Sequence, residues 1–394
     1  IVIIDSQMNY RGKLDTYQPF FDSLSAQPGQ EENDIMDINN DRRYTMILFL
    51  ILLITLLLLI PVSSVRAERK PSVHLLATGG TIAGKAASET ATTGYEAGAL
   101  GVKDLLGSLP EAQNFAQVTG EEISAIDSKD MTDDIWFSLA ERANELEGET
   151  DGLVVIHGTD TMEETAWFLQ LTVKSSIPLV LTGAMRPATA VSAPVPRLML
   201  NAIRLAAHPS ARGKGVLVMM NDTIFSARNV TKGNTLSLDT FRSPDGPLGY
   251  MNDGHPCWCA LPVHVPKGEA PFDVKGLHRL PRVYIIYGHA GADGALVRAA
   301  VSAGAEGLVY AGCGNGSIHR EDEKALAKAA SQGIPVVRSS HAGSGSVISA
   351  EASYEEEGFI RGGSLSPQKA RILLQLSLSR TEDFRDIQKI FDRY

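Results

Sequence analysis

The stretch Val73-His74-Leu75-Leu76-Ala77-Thr78-Gly79-Gly80-Thr81-Ile82-Ala83-Gly84 constrains the fold more than any other. It begins as a short apolar run of strand type and breaks into a glycine-rich turn, with Thr81 just past the break. In open α/β proteins, ligands bind beyond the carboxyl ends of the parallel strands. A hydroxyl delivered there on a tight loop is placed to attack a ligand. Glycines let the backbone come close and leave N–H groups free for an oxyanion. Taken alone, the same stretch reads equally well as an ordinary strand-to-helix turn.

The pattern recurs down the chain. Ile123 to Ile126 reads as a strand ending in Asp127-Ser128-Lys129-Asp130. Thr132 is placed to cap a helix running to Glu147, with Asp133 and Asp134 at its positive end. Leu153 to Ile156 is a continuous apolar run of buried-strand type, followed by His157-Gly158-Thr159-Asp160-Thr161. Thr161 and Glu164 fit a capping box that opens a helix to about Val173. Strands follow at Ile177 to Thr182 and Val216 to Met220. Leu261 to Pro281, rich in proline, glycine and charge, reads as a connection, and the alternation then restarts. Strands are expected at Val283 to Tyr287, Gly307 to Ala311 and Pro335 to Ser339. Helices are expected near Ala295 to Ala303, at Glu321 to Gln332, and from Ser366 with Pro367 in its first position. The expected architecture is two-domain α/β. A larger N-terminal domain over 68–261 carries a mostly parallel sheet flanked by helices. A linker over 262–281 leads to a smaller C-terminal α/β domain over 282–394.

The segment before these domains reads differently. Residues 1–45 read poorly as a folded segment, with Gln27 to Asn40 polar, acidic and aperiodic, and Met36 or Met46 is a candidate start. From Met46 the composition turns abruptly to leucine and isoleucine, with Arg42 and Arg43 before the run, Pro61 after it, and a small-residue cleavage site after Ala67. The run is shorter than the roughly 20 residues a spanning helix needs. Residues 46–67 therefore read as a removable signal peptide rather than a retained anchor, and a periplasmic or secreted protein is expected.

Composition narrows the function. A net charge of −10, with no basic cluster interleaved with aromatics, gives no footprint for nucleic acid. Three cysteines make no disulfide framework, and Cys257 and Cys259 read as facing alternate sides of a strand. Neither CxxC nor HExxH spacing occurs, so a metal site is not expected. Threonine stands at position 81, where a dinucleotide-binding GxGxxG turn would need glycine, and there is no GxSxG elbow. Three strand ends offer hydroxyl or charge: Thr81, Ser128, and Thr159 with Asp160. That leaves a threonine nucleophile whose activating partner is not histidine.

Ala77 to Gly84 and His157-Gly158-Thr159-Asp160-Thr161-Met162-Glu163-Glu164-Thr165 resemble the two signature loops of the bacterial L-asparaginase family, nearest its exported type II branch. The likeness continues through Gly183 to Pro187, Met220-Asn221-Asp222, Val230-Thr231-Lys232, Gly246 to Gly249, Gly314-Asn315-Gly316, Arg338-Ser339-Ser340 and Pro367 to Arg371. It implies Thr81 as an acyl-enzyme nucleophile, helped by Tyr95 on a closing loop, and a second polar triad of Thr159, Asp160 and Lys232. It implies that N–H groups near Gly80 and Thr159 hold the oxyanion. Ser128 and Asp160 would clamp the substrate's α-carboxylate and α-amino groups, with Lys129 beside them and Ala184 against the amide end. Ser317 and Glu351 would approach from a partner subunit within a homotetramer built as a dimer of dimers. The implied reaction takes L-asparagine to L-aspartate and ammonia. The alternatives are a glutaminase-asparaginase with comparable activity on L-glutamine, and an inactive periplasmic amino-acid binding protein. Burial favours a neutral Lys232 and Asp160 a charged one, so the pair is expected to hold a proton network.

The chain departs from the family's usual pattern in three places. Ser192-Ala193-Pro194-Val195-Pro196-Arg197 replaces the aspartate and glycine that usually follow the Arg-Pro loop, and Pro196 is expected to strain a helix start there. Lys129 stands where the resemblance points to glutamine or glutamate. Ser317 and His341 lean toward the glutaminase-asparaginases, and the loop from Ala342 to Glu351 is short.

Overall fold

The computed structural model describes residues 35–58, 69–90, 94–174, 176–263 and 270–394. The chain divides into two units, Ile1–Glu68 and Arg69–Tyr394. In the first, helix α1 (Ile35–Leu58) crosses the boundary expected at Met46. Residues 35–45 are therefore helical, against the irregular segment expected; they contain no proline or glycine to stop a helix. The apolar side chains from Met46 to Leu53 are exposed. Among the described residues no helix is long and apolar enough to cross a membrane. The cleavage site expected after Ala67 lies outside the described residues.

The second unit follows the expected alternation. In chain order it runs β1 (Ser72–Gly79), α2 (Val102–Gly107), β2 (Gln117–Ile126), α3 (Asp133–Glu145), β3 (Gly152–Ile156), α4 (Met162–Thr172), β4 (Leu179–Thr182), α5 (Val195–Ala207) and β5 (Val216–Met220). Short strands β6 (Thr223–Ser226), β7 (Thr231–Lys232), β8 (Phe241–Arg242), β9 (Gly249–Asn252) and β10 (His255–Trp258) follow. The large sheet has the order β10-β9-β6-β5-β4-β3-β1-β2. Its strands from β5 to β2 are parallel and β6, β9 and β10 antiparallel, so the sheet is mixed, while β7 and β8 pair separately. The remainder is β11 (Val283–Tyr287), α6 (Ala295–Ser302), β12 (Gly307–Gly312), α7 (Arg320–Ser331), β13 (Val336–Ser340), α8 (Ala352–Glu356), β14 (Ile360–Arg361), α9 (Pro367–Leu378) and α10 (Phe384–Arg393). Its four strands form a parallel sheet in sequential order.

Strand β3 is buried along its whole length, as its unbroken apolar run requires of a strand covered on both faces. Strand β2 starts well before the expected Ile123, because at the sheet edge polar Thr119, Glu121 and Glu122 mask the apolar signal. Helix α9 joins the two sheets. Its Ile372, Leu373, Leu374 and Leu376 are fully buried in one core with Val154, Phe168 and Val309. Each such side chain contributes about 1.5–3 kcal/mol over exposure. The stretch expected to be a linker is also bound into this core. Residues 264–269 lie outside the described residues, but Phe272, Val274 and Leu280 are buried and the Leu280 N–H donates to Asp133 at 2.9 Å.

Local signals were read with mixed success. Thr132 caps α3, accepting from the Ile135 N–H at 3.4 Å. Thr161 precedes α4 but makes no capping bond; its hydroxyl donates to the Ser128 carbonyl at 2.7 Å, tying two loops together. Glu164 instead faces Arg371 at 3.7 Å. The strain expected at Pro196 is absent. Helix α5 begins at Val195, which puts Pro196 in the first turn, where a missing N–H costs nothing. Arg197 then pairs with Asp222 at 2.9 Å and Asn201 donates to the same carboxylate at 2.5 Å. These bonds hold Asp222 in a left-handed conformation, φ 60°.

Pro196→Ala is expected to change the free energy of unfolding by less than about 1 kcal/mol, because the ring sits at a tolerated position. Urea unfolding of the two chains measures it, and a gain above that size would show that the proline is strained.

Candidate active site

Parallel pairing places the candidate residues on one edge. Ala77 of β1 is in register with Ile156 of β3, Gly79 with Ile126 of β2, and Ile156 with Thr182 of β4. The loops carrying Thr81, Ser128, Thr159 and Ala184 therefore leave four adjacent strands at the same end. All four residues are buried.

Glycines set the spacing between these loops. Gly80 has φ 79°, and a Cβ there would lie 2.4 Å from the Cα and N of Gly158. A Cβ on Gly158 would in turn lie 2.6 Å from Ser128 Oγ. The loops after β1 and β3 thus touch through bare backbone, and Gly158 packs on the Ser128 side chain of the loop after β2, approaches only glycine permits.

Two hydroxyl clusters result. The Thr81 hydroxyl is 2.5 Å from the Tyr95 hydroxyl, and the two hydrogen-bond. Tyr95 comes back to Thr81 because Lys85 and Glu96 bridge their backbones at 2.9 and 3.0 Å. In the second cluster, Lys232 Nζ donates to Thr159 Oγ1 at 3.1 Å and to an Asp160 carboxylate oxygen. The Thr159 hydroxyl itself donates to Met185 Sδ at 3.3 Å, a contact the sequence reading did not include. Ser128 Oγ accepts from the Asp160 N–H at 3.2 Å, which leaves its own proton free to donate.

Two expected placements differ. The Gly80 N–H is committed to the Ile126 carbonyl at 2.8 Å, so it is not a free oxyanion donor. Lys129 turns to Asp127 at 2.6 Å and Asp130 at 3.7 Å, away from the role expected beside the substrate. Its hydrogen bond to Asp127 raises its pKa above the ordinary lysine value. Ser317 and Glu351, expected to approach from a partner subunit, lie on segments that follow β12 and β13 of the same chain and bond near one another. Ser317 bridges Cys313, the Ile318 N–H donates to the Tyr354 hydroxyl at 3.1 Å, and Tyr354 reaches Glu351 at 3.4 Å.

His157 lies directly under the second loop. Its Nδ1 donates to the Gly158 carbonyl at 2.6 Å, so its Nε2 accepts from the Thr165 hydroxyl at 2.9 Å. Thr165 in turn accepts from Trp136 Nε1 at 2.8 Å. The ring is therefore neutral. Burial pushes its pKa down to about 4, against a smaller opposing effect of the Gly158 bond. Among the described residues, no cluster of histidine, cysteine and carboxylates could hold a metal ion.

Two family models match this chain, the N-terminal asparaginase domain over residues 72–260 and the glutaminase/asparaginase C-terminal domain over residues 282–391. The chain belongs to the asparaginase family of amidohydrolases. It is 45% identical over 82% of its length to L-asparaginase 2 of Escherichia coli strain K12, of which it covers 93%. It is 44% identical over 84% of its length to a probable periplasmic L-asparaginase of Haemophilus influenzae, of which it covers 96%. A solved structure of a probable cytoplasmic L-asparaginase from Campylobacter jejuni superposes with a TM-score of 0.80 at 44% identity, over 82% of this chain and all of that one. The asparaginase fold, a large mixed sheet flanked by helices with a small parallel-sheet domain, is the one described above.

Two outcomes follow from this geometry. Gly80→Ala is expected to destabilise the fold by more than about 2 kcal/mol, since a Cβ meets backbone and φ is positive; an unchanged urea midpoint would show that the loops do not touch. Between pH 6.5 and about 4 the unfolded chain binds a proton at His157 that the native chain does not. Native stability should therefore fall by up to about 3 kcal/mol as pH drops through that window. A His157→Gln variant should lose that part of the pH dependence in urea titrations at pH 7 and pH 4.5.

Proposed function

We propose that the chain hydrolyses L-asparagine to L-aspartate and ammonia through an acyl-enzyme on Thr81. The observation that carries this reading is the meeting of two hydroxyl clusters, Thr81–Tyr95 and Thr159–Lys232–Asp160, on loops that touch at Gly80 and Gly158. In this reading Thr81 Oγ attacks the carboxamide carbon and its proton passes to the hydroxyl and lysine network. The oxyanion is held by backbone N–H groups, with Gly80's own excluded; Thr81 and Thr159 are the nearest replacements. Collapse of the tetrahedral species breaks the C–N bond, and the nitrogen leaves as ammonia with a proton from the network. Water then hydrolyses the Thr81 ester and restores the hydroxyl.

The substrate's charged end fits the rest of the edge. The free proton of Ser128 suits the α-carboxylate, and the exposed Asp160 carboxylate suits the α-ammonium. Buried Ala184 closes the amide end. Ser317 and Glu351 complete the pocket of a partner subunit in a homotetramer of paired dimers. No cofactor is used. The apolar run in α1, with arginines before it, supports export.

Ser317 favours a second reading, with substantial activity on L-glutamine, and the C-terminal family description names both amides. The inactive binding-protein alternative drew its support from Pro194 to Arg197. Helix α5 takes Pro196 into its first turn, which weakens that support.

The test is ammonia release from L-asparagine and L-glutamine by the wild type and Thr81→Ala. Turnover should fall at least about 1000-fold in the variant. Aspartate affinity by calorimetry should change only a few-fold. Undiminished ammonia release would exclude Thr81 as the nucleophile, and aspartate binding without any wild-type turnover would restore the binding-protein alternative.

A further inference from the structure

Lys232 reaches Thr159 and Asp160 from β7, a two-residue strand whose sheet partner is the equally short β8. An isolated pair of this length does not fix a side chain by itself. Two buried charges close on it from opposite sides. Glu163, in the first turn of α4 and 5% exposed, accepts from the Thr231 hydroxyl at 3.0 Å and from the Lys232 backbone N–H at 3.5 Å, both through Oε1. Its Oε2 is buried with no hydrogen-bond partner among the described residues. Lys369, in the first turn of α9 and 2% exposed, donates to the Arg228 carbonyl at 2.8 Å and to the Val230 carbonyl. The Lys369 carbonyl accepts from Trp167 of α4 at 3.2 Å.

Charges at this depth persist only where hydrogen bonds and an opposite charge compensate their burial. Burial pushes the Lys369 ammonium down to about 8, while the Glu163 carboxylate opposes that shift. Two charges that served packing alone could sit anywhere in this core. These two attach to the backbone of residues 228, 230 and 232 and to the Thr231 hydroxyl, the run that delivers the lysine. Glu163 also lies on the helix that starts just after Thr159 and Asp160, so one short piece of chain holds both the tip and the base of Lys232.

We propose that Glu163 and Lys369 are positioning residues for the reaction: together they clamp the backbone of residues 228–232 so that Lys232 Nζ is held at Thr159 and Asp160. The inference rests on the reading of Lys232 as part of the threonine site. Neither side chain touches substrate in that reading; both act through Lys232.

The experiment measures steady-state ammonia release from L-asparagine by the full chain carrying Glu163→Leu, Glu163→Gln or Lys369→Met. Each is measured with Lys232 present and in a Lys232→Met background. Glu163→Leu and Lys369→Met should lower kcat by about 10- to 100-fold, the scale of a roughly 1 Å misplacement, with KM within about threefold. Glu163→Gln keeps an acceptor for Thr231 and should recover most of the loss. In the Lys232→Met background the substitutions should cost nothing further, since residues acting through one group are not additive. Equal fold-losses in both backgrounds would overturn the proposal, because a pair that merely holds the fold penalises both alike. If Glu163→Leu does not fold, Thr231→Val, which deletes only the hydroxyl, carries the same comparison. Crystal structures of the wild type and the same variant give a readout independent of turnover. Lys232 Nζ should leave Asp160; its retention there overturns the proposal even if the wild type releases no ammonia. Silence of the wild type alone counts against the asparaginase reading, not against the clamp.

Discussion

The site depends on two close approaches that a Cβ on either glycine would block. Gly80 lies against Gly158, and Gly158 against Ser128, at separations a single methyl group would not tolerate. Parallel register brings the ends of β1, β2 and β3 to a common edge, but register alone leaves neighbouring strands about 4.8 Å apart with their loops free to diverge. Removing the Cβ at these positions lets the loops collapse onto each other. Thr81 is then delivered beside the Thr159 loop, and the two hydroxyl clusters lie on adjoining loops at one edge of the sheet.

Around these contacts, polar bonds link loops that are distant in sequence. Thr161 ties the β3 loop to Ser128, and Ser128 ties back to the Asp160 N–H. Below them, the relay Trp136–Thr165–His157–Gly158 satisfies every polar atom it uses while keeping a histidine neutral in the core. Buried polar networks rigidify when complete and destabilise when incomplete. This one supports the loop from beneath, where no aqueous proton reaches it at neutral pH.

Much of this was legible in the sequence, and the limits have physical causes. Leu153 to Ile156 announced a strand buried on both faces, and the glycine-rich breaks announced loops that approach closely. The Thr161 capping box was misread because local spacing does not reveal a competing acceptor, and the Ser128 carbonyl captured the hydroxyl. Pro196 looked strained only while the helix start was placed too early. Lys129 was assigned to the substrate by position, but its neighbour Asp127 offered a nearer anion. Glu163 and Lys369 were invisible as a pair because they lie far apart in the chain. Each, alone, resembles an ordinary charge in a first helical turn. The burial of Phe272 and Leu280 was hidden by the proline and charge around them.

Helix α9 gives the molecule an order of assembly. It leaves the ribosome well after the strands of the large sheet, yet Lys369 at its start grips the carbonyls that precede Lys232. Domains tend to fold from the amino terminus as they emerge. The large sheet can therefore form with Thr81 in place while residues 228–230 still lack their ammonium partner. Only when α9 docks do the Arg228 and Val230 carbonyls gain the Lys369 bonds, so a chain that lacks α9 carries a large sheet whose Lys232 segment is held from one side fewer.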